Sequence, residues 1–320
     1  MKKTILLTTL FLAVVACQKA PVEQGPQAPE TDGNGFVEKT FTATIVDVDP
    51  ETRAITDGIK TSWVKGDKLS VSNSTPGDKV LPENAGVLTA DADGASTTFT
   101  GNVQEGLDKY CAVYPYSSVT NWNNSGTAGG YNAASGTIKG ADDNRQIMQV
   151  VNTVEGVNIF MDPQCMYLAG TAAADLNFKF KHVLAYIKFT VPESNTAKIK
   201  RIEIWDSVEK DGTEAHKIHG TFNMNGNSNW VVNSIGSTKA NILRAVNSDN
   251  SSLQPGVYYI AVLPRTNYSG LNVKFINPDE NPNKTKTFFK KGTVKLESGK
   301  VYNMGVLPDM SADLGTIPAE

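Results

Sequence analysis

Cysteine is scarce in this chain: Cys17, Cys111 and Cys165 are the three among 320 residues. Three cysteines at such spacings make neither a disulfide framework nor a metal motif. Histidine is equally rare. His216 and His219 stand three apart in a strand-like segment, so they are expected on opposite faces and unable to share a metal. His182 lies among apolar strand residues and reads as a hydrogen-bonded core histidine. No metal and no cofactor is expected. Strong charge of either sign is also missing: 30 Lys and Arg against 33 Asp and Glu leave a formal charge of −3. That excludes the basic footprint of a nucleic-acid binder. No Gly-x-Ser-x-Gly elbow or P-loop occurs, and no Gly-x-Gly-x-x-Gly opens a helix. Asp91-Ala92-Asp93-Gly94 begins like a calcium loop, yet no Glu follows at the required distance, so it reads as a solvated turn. Asp47-Val48-Asp49-Pro50 reads the same way. These absences argue against an enzyme.

Long apolar runs are absent after residue 17, but one short run precedes it. Lys2 and Lys3 form a positive n-region, and Ile5 to Val15 supplies an apolar h-region too short to span a bilayer. Leu12-Ala13-Val14-Val15-Ala16-Cys17 resembles the bacterial lipobox, in which the cysteine is diacylated and the chain cut before it. Residues 1–16 are therefore expected to be a lipoprotein signal peptide, and Cys17 the lipidated first residue of an exported chain. Residues 18–35 carry no aromatic and a single aliphatic larger than Ala. Such a stretch cannot bury enough surface to offset its ordering entropy, so 17–35 reads as a lipidated flexible linker.

No long segment combines i, i+3, i+4 apolar spacing with capping signals, so helix is not expected. From Phe36 onward, period-two alternation is broken by Gly, Asn, Asp and Pro. Val37, Phe41, Ala43 and Ile45 point one way, and Glu38, Thr40, Thr42 and Thr44 the other. Leu271, Val273 and Phe275 repeat the pattern. Tyr110 to Tyr116, Val257 to Leu263 and Val301 to Leu307 are mostly apolar on both faces, as central strands are. Turns are expected at Lys65-Gly66-Asp67, Asn225-Gly226-Asn227 and Asn277 to Pro282. Leu176, Phe178 and Phe180 put the apolar face at even positions, but Val183 to Val191 put it at odd ones. That phase change demands a bulge or a crossover between sheets near His182. Tyr110-Cys111-Ala112-Val113-Tyr114-Pro115 echoes Tyr259-Ile260-Ala261-Val262-Leu263-Pro264, each downstream of a Thr-Phe pair. The chain therefore reads as all-β, with two sandwich domains in tandem over 36–174 and 175–310 and a tail over 311–320. Asn121 to Gly140, rich in Gly, Asn, Ser and Ala, is expected as a long exposed insertion. Cys111 and Cys165, both in apolar strand-like contexts, are compatible with a disulfide or with two buried thiols.

Several short motifs in order carry a family likeness. They are the lipobox at Cys17, Thr52-Arg53-Ala54 before an Asp-Gly turn, and Trp63-Val64-Lys65-Gly66-Asp67-Lys68-Leu69-Ser70-Val71. Further on come Ala112-Val113-Tyr114-Pro115-Tyr116, Leu176-Asn177-Phe178 leading to His182-Val183-Leu184-Ala185, Ala261-Val262-Leu263-Pro264 and Ser298-Gly299-Lys300-Val301-Tyr302. In these the chain resembles the fimbrillin family of Bacteroidota surface lipoproteins, which includes fimbrial subunits and Mfa-like proteins. The resemblance implies two transthyretin-like β-sandwich domains, a lipid anchor in the outer membrane and assembly into fimbriae with other subunits. It further implies cleavage by an arginine-specific protease after Arg53 and removal of the first strand, Phe36 to Val48. The groove left by Val37, Phe41, Ala43 and Ile45 would then accept a strand from another subunit, a form of β-augmentation. A C-terminal donor strand would come from Lys300 to Leu307 or from the tail beyond it. The other reading is a surface lipoprotein that does not polymerise and binds glycan or host protein through a loop aromatic such as Trp122, in Thr120-Asn121-Trp122-Asn123-Asn124. Trp122 is equally able to cap its own domain, and Trp230 is read as doing so.

Overall fold

Alternating apolar residues bury one face of a strand, and that face needs a second layer to cover it. In a computed structural model of the chain, the first such layer closes on itself. The residues described are 35–46, 62–71, 86–105, 110–116, 121–123, 133–138, 146–148, 168–172, 175–193, 199–206, 216–225, 232–235, 242–247, 250–277, 284–307 and 317–318. All of them fall in one unit, 31–320, and all regular structure among them is β. No helix of the described residues is long and apolar enough to cross a membrane.

Seven strands form the closed ring: β1 (Phe36–Ile45), β2 (Lys68–Val71), β3 (Val87–Ala90), β4 (Ser96–Gln104), β5 (Tyr110–Tyr114), β9 (Leu168–Ala172) and β10 (Asn177–His182). Their order round the barrel is β1-β10-β9-β5-β2-β3-β4. Closure removes sheet edges. The remaining strands are β6 (Asn121–Asn123), β7 (Ala133–Ile138), β8 (Gln146–Met148), β11 (Ala185–Val191), β12 (Arg201–Asp206), β13 (Gly220–Asn225) and β14 (Val232–Ile235). They are followed by β15 (Leu243–Asn247), β16 (Gly256–Val262), β17 (Arg265–Asn277), β18 (Lys284–Leu296), β19 (Val301–Val306) and β20 (Ile317–Pro318). These build sheets of order β16-β11-β19, β20-β18-β17-β12-β15-β8 and β14-β13-β7-β6.

The phase change near His182 is a change of sheet. Phe178 and Phe180 face the barrel interior, Val183 and Leu184 are buried outside any strand, and β11 then pairs with β16 and β19. The 174/175 boundary expected from sequence falls in the connection between β9 and β10, which pair with each other inside the ring. His182 is buried and hydrogen-bonded through Nδ1 to the Tyr186 hydroxyl at 3.0 Å, as its setting predicted.

Two expectations need correction. The Gly- and Asn-rich stretch from Asn121 supplies β6 and β7, and β7 pairs antiparallel with β13 from Ile138↔Gly220 to Ala133↔Asn225. Ladder bonds use backbone groups, so Ala133-Ala134-Ser135-Gly136 can pair without any apolar alternation to announce it. Val257 to Leu263 and Val301 to Leu307, both read as suited to central strands, are instead the two edges of the sheet β16-β11-β19, the second with partly exposed side chains. The turn at Lys65-Gly66-Asp67 forms as expected: Asp67 N donates to the Val64 carbonyl, and the Asp67 carboxylate accepts from Val64 N at 2.8 Å. Asn277 and Lys284 face each other across the β17–β18 hairpin, whose tip lies outside the described residues, as do Gly226 and Asn227 of the turn expected at Asn225-Gly226-Asn227.

Candidate functional site: the slot filled by the first strand

β1 is held on both sides, along almost its whole length by β4 and over its last four residues by β10. It pairs antiparallel with β4 from Phe36↔Gln104 to Thr44↔Ser96, and parallel with β10 from Thr42↔Asn177 to Ile45↔Phe180. Thr42 N donates to the Leu176 carbonyl at 3.0 Å, and Val46 N to the Phe180 carbonyl at 2.9 Å. Leu176 adopts φ 52°, a left-handed conformation unusual for a bulky residue, at the point where its carbonyl meets β1. The outward threonines make a polar seam: Thr40 bonds Thr100 at 3.0 Å, and Thr44 bonds Ser96 at 2.9 Å.

The inward face is the one read from the alternation. Val37, Phe41, Ala43 and Ile45 are all buried. Phe41 stacks on Phe178 with centroids 4.9 Å apart and meets the Tyr110 ring edge-on at 5.0 Å. Trp63 lies in the core among Phe99, Tyr114 and Phe180, and its Nε1 donates to the Ala43 carbonyl at 3.0 Å. Without β1, its ladder partners on β4 and β10 would lose their bonds along one slot, floored by these aromatic rings.

One inward residue escaped the sequence reading. Lys39 has the parity of Val37 and Phe41, and its Nζ donates to the Tyr110 hydroxyl at 2.7 Å. Opposite it across the ladder stands Gly101, where a Cβ would collide with the Val87 carbonyl oxygen. The available signal was the odd-numbered position of a lysine inside an odd-numbered apolar face.

Of the other predicted residues, Cys17, Arg53, Cys165 and Trp230 lie outside the described residues, as do positions 47 and 48 of the expected first strand. Trp122 sits in β6 with its backbone opposite Ala134. Cys111 is buried in β5. The Asp91–Gly94 turn is tied into the barrel: the Asp91 carboxylate accepts from Thr98 Oγ1 at 2.6 Å, and Asp93 from Lys65 N at 2.6 Å. His216 and His219 precede β13 rather than lying in a strand. The Asp206 carboxylate, fully buried, accepts from His216 Nδ1 at 2.9 Å, His216 N at 2.8 Å and Gly270 N at 3.1 Å, clamping β12 to β17. Burial pushes the Tyr258 phenol up to about 12. Tyr268 and Tyr114 are pushed higher still by burial, with the Asp67 charge adding to the effect at Tyr114.

No family model and no curated protein matches the chain. Among solved structures it is similar to a protein provisionally assigned to cell adhesion from Bacteroides ovatus, at 17% identity over 83% of this chain and 91% of that one, with a TM-score of 0.46. A second protein with the same provisional assignment, from Bacteroides fragilis, is 14% identical over 85% of this chain and 91% of the other, with a TM-score of 0.41. A fimbrial protein of Bacteroides ovatus is 11% identical over 88% of this chain and half of that one, with a TM-score of 0.32.

Proposed function

We propose that the chain is a non-enzymatic structural or adhesive subunit of a surface fimbria, exported as a lipoprotein on Cys17 and displayed at the outer membrane. Cleavage after Arg53 releases β1, and a strand from a neighbouring subunit takes its place between β4 and β10. The barrel and the remaining sheets are two transthyretin-like domains in tandem, the chain lending β7 and β8 to the sheets of the second before it leaves the barrel at Val183–Leu184. The observation that carries this reading is the position of β1. It is the first strand of the ring, is paired along both edges, and is followed by the stretch that holds Arg53, so one cut severs it from the rest of the fold. Its loss uncovers the surface matched by Val37, Phe41, Ala43 and Ile45, at about 1.5–3 kcal/mol for each large side chain. That drives recapture of another strand.

β19 supports the other half of the exchange. It pairs only with β11 among the described strands, its register slips between Lys188 and Thr190, and Val306 is 64% exposed. A strand held along one edge, with a break in its register, has fewer bonds to lose than one paired on both sides.

The test is the N-terminal residue of the protein recovered from its native cells, read beside its state of assembly. A chain beginning at Ala54 within an oligomeric ladder is the expected result. A monomer beginning at acylated Cys17 would overturn strand replacement and favour an anchored binding module.

A further inference from the structure

We propose that the slot filled by β1 contains a polar subsite, formed by the hydroxyl and ring of Tyr110, that accepts a basic side chain and sets the register of the occupying strand. The inference rests on the strand-replacement reading above. β5 lies three places round the ring from β1, so the 2.7 Å bond from the half-buried Lys39 Nζ to Tyr110 joins strands that share no ladder. Tyr110 is 1% exposed and its ring edge also packs on Phe41, so a single residue reads positions 39 and 41 together.

Apolar pockets alone specify register weakly. A slip of one residue turns every side chain to the wrong face, but a slip of two keeps apolar residues inward. A slip of two on this strand would bring Val37 or Phe41 under the Tyr110 hydroxyl and carry Lys39 into the site of Phe41, among aromatic rings, or of the buried Val37, where a charge is costly. The lysine therefore acts as a buried polar residue does in a coiled-coil seam, penalising wrong registers.

The occupant that fits is a strand with a basic residue two positions before an aromatic, followed by apolar residues at the same spacing. Lys39, Phe41, Ala43 and Ile45 show it in β1, and Lys300, Tyr302, Met304 and Val306 repeat it at β19. The slot is accordingly matched to β19 of a second copy of this chain, with Lys300 under Tyr110. Within its own sheet β19 cannot keep that alternation: its register slips, Gly305 takes φ 81°, and Val306 turns outward while Leu307 turns in.

The test uses the full-length chain with a specific protease site in place of residues 51–56, cut and then offered labelled synthetic peptides of 36–46. The native peptide is expected to exchange into the slot. A Lys39→Met peptide should bind about ten-fold or more weakly, and Lys39→Arg within a few-fold of native. In a Tyr110→Phe chain, the difference between the lysine and methionine peptides should collapse. A peptide of 298–307 should bind with the same dependence on Tyr110, and its Lys300→Met form should lose it. If native and Lys39→Met peptides exchange equally well, the subsite is wrong although strand replacement stands. If 298–307 binds without regard to Tyr110, the assignment of β19 as occupant is wrong. If no peptide exchanges, strand replacement itself fails and the subsite falls with it.

Discussion

β1 and β19 are of opposite character. β1 lies between two partners in a closed ring, with every inward apolar side chain buried and both edges bonded. β19 has one partner among the described strands, a register slip and partly exposed side chains along its length. Yet in amino-acid terms they are near copies, a basic residue and then an aromatic and two apolar residues at alternate positions. The same pattern is thus a plug in one setting and a flap in another. What separates them is the surrounding sheet, because burial depends on what covers a face and not on the strand that presents it.

Truncating the aromatic of each strand breaks the comparison most sharply. Phe41→Ala removes a ring packed between Phe178 and Tyr110, and about 3–5 kcal/mol of stability should go with it. Tyr302→Ala, at a partly exposed position, should cost about 1 kcal/mol. Denaturant unfolding of both variants checks this. Equal losses would mean that β19 is packed as firmly as the plug.

Glycines give a second, smaller contrast. A Cβ at Gly101 would run into the Val87 backbone, so Gly101→Ala forces strands apart and should cost about 1–3 kcal/mol. Gly305 in β19 has open space around it, and only its φ of 81° resists a side chain. Gly305→Ala should therefore cost about 1 kcal/mol or less, and Gly305→Asn less again. Thermal unfolding midpoints of the three variants rank them.

Buried phenols extend the comparison to alkaline pH. Tyr114 in the barrel and Tyr258 and Tyr268 in the second half all have raised folded pKa values, that of Tyr258 to about 12. A group raised on folding contributes stability that is complete below its unfolded value, near 10, and is lost as pH climbs toward the folded one. Stability should therefore fall from about pH 10 upward. Tyrosinate absorbance should show Tyr302, which is less deeply buried, ionising before these three. Simultaneous ionisation of all four would place β19 in the core.

Much of the plug could be read from the chain, and much of its setting could not. Val37, Phe41, Ala43 and Ile45 announced their face because a strand walled by a barrel on one side and solvent on the other must alternate. The phase change at His182 was equally visible, since only an inserted residue or a change of sheet can produce it. Lys39 was overlooked because a charge at an inward position contradicts the burial rule, and its partner Tyr110 is distant in sequence. Ring closure was hidden for a similar reason: Thr42↔Asn177 is a backbone pairing that no side-chain pattern records. The edge position of β19 was misread because apolar residues on both faces show what a strand could bury, not what its neighbours supply.

The smallest effect concerns the turn that launches β19. Glu297 accepts from Lys295 at 2.7 Å and Lys300 at 3.0 Å, and its backbone N donates to the Tyr302 hydroxyl at 2.7 Å. The two lysines hold its carboxyl below the usual carboxylate range, the hydrogen bond from Lys295 contributing most. A group depressed on folding contributes stability that is present above its unfolded value and is lost as pH falls through the folded one. The clamp should therefore act at neutral pH and fade below about pH 4. Because the carboxylate is exposed, salt should weaken it as acid does. Glu297→Gln should lower the unfolding midpoint slightly at pH 7 and low salt, and the gap to the native chain should close at pH 3 or in 1 M salt. A gap that persisted unchanged at pH 3 would mean that the side chain holds β19 through packing rather than charge. The flap would then lack the electrostatic latch that distinguishes it from the plug, whose only inward charge is spent on the Tyr110 hydroxyl.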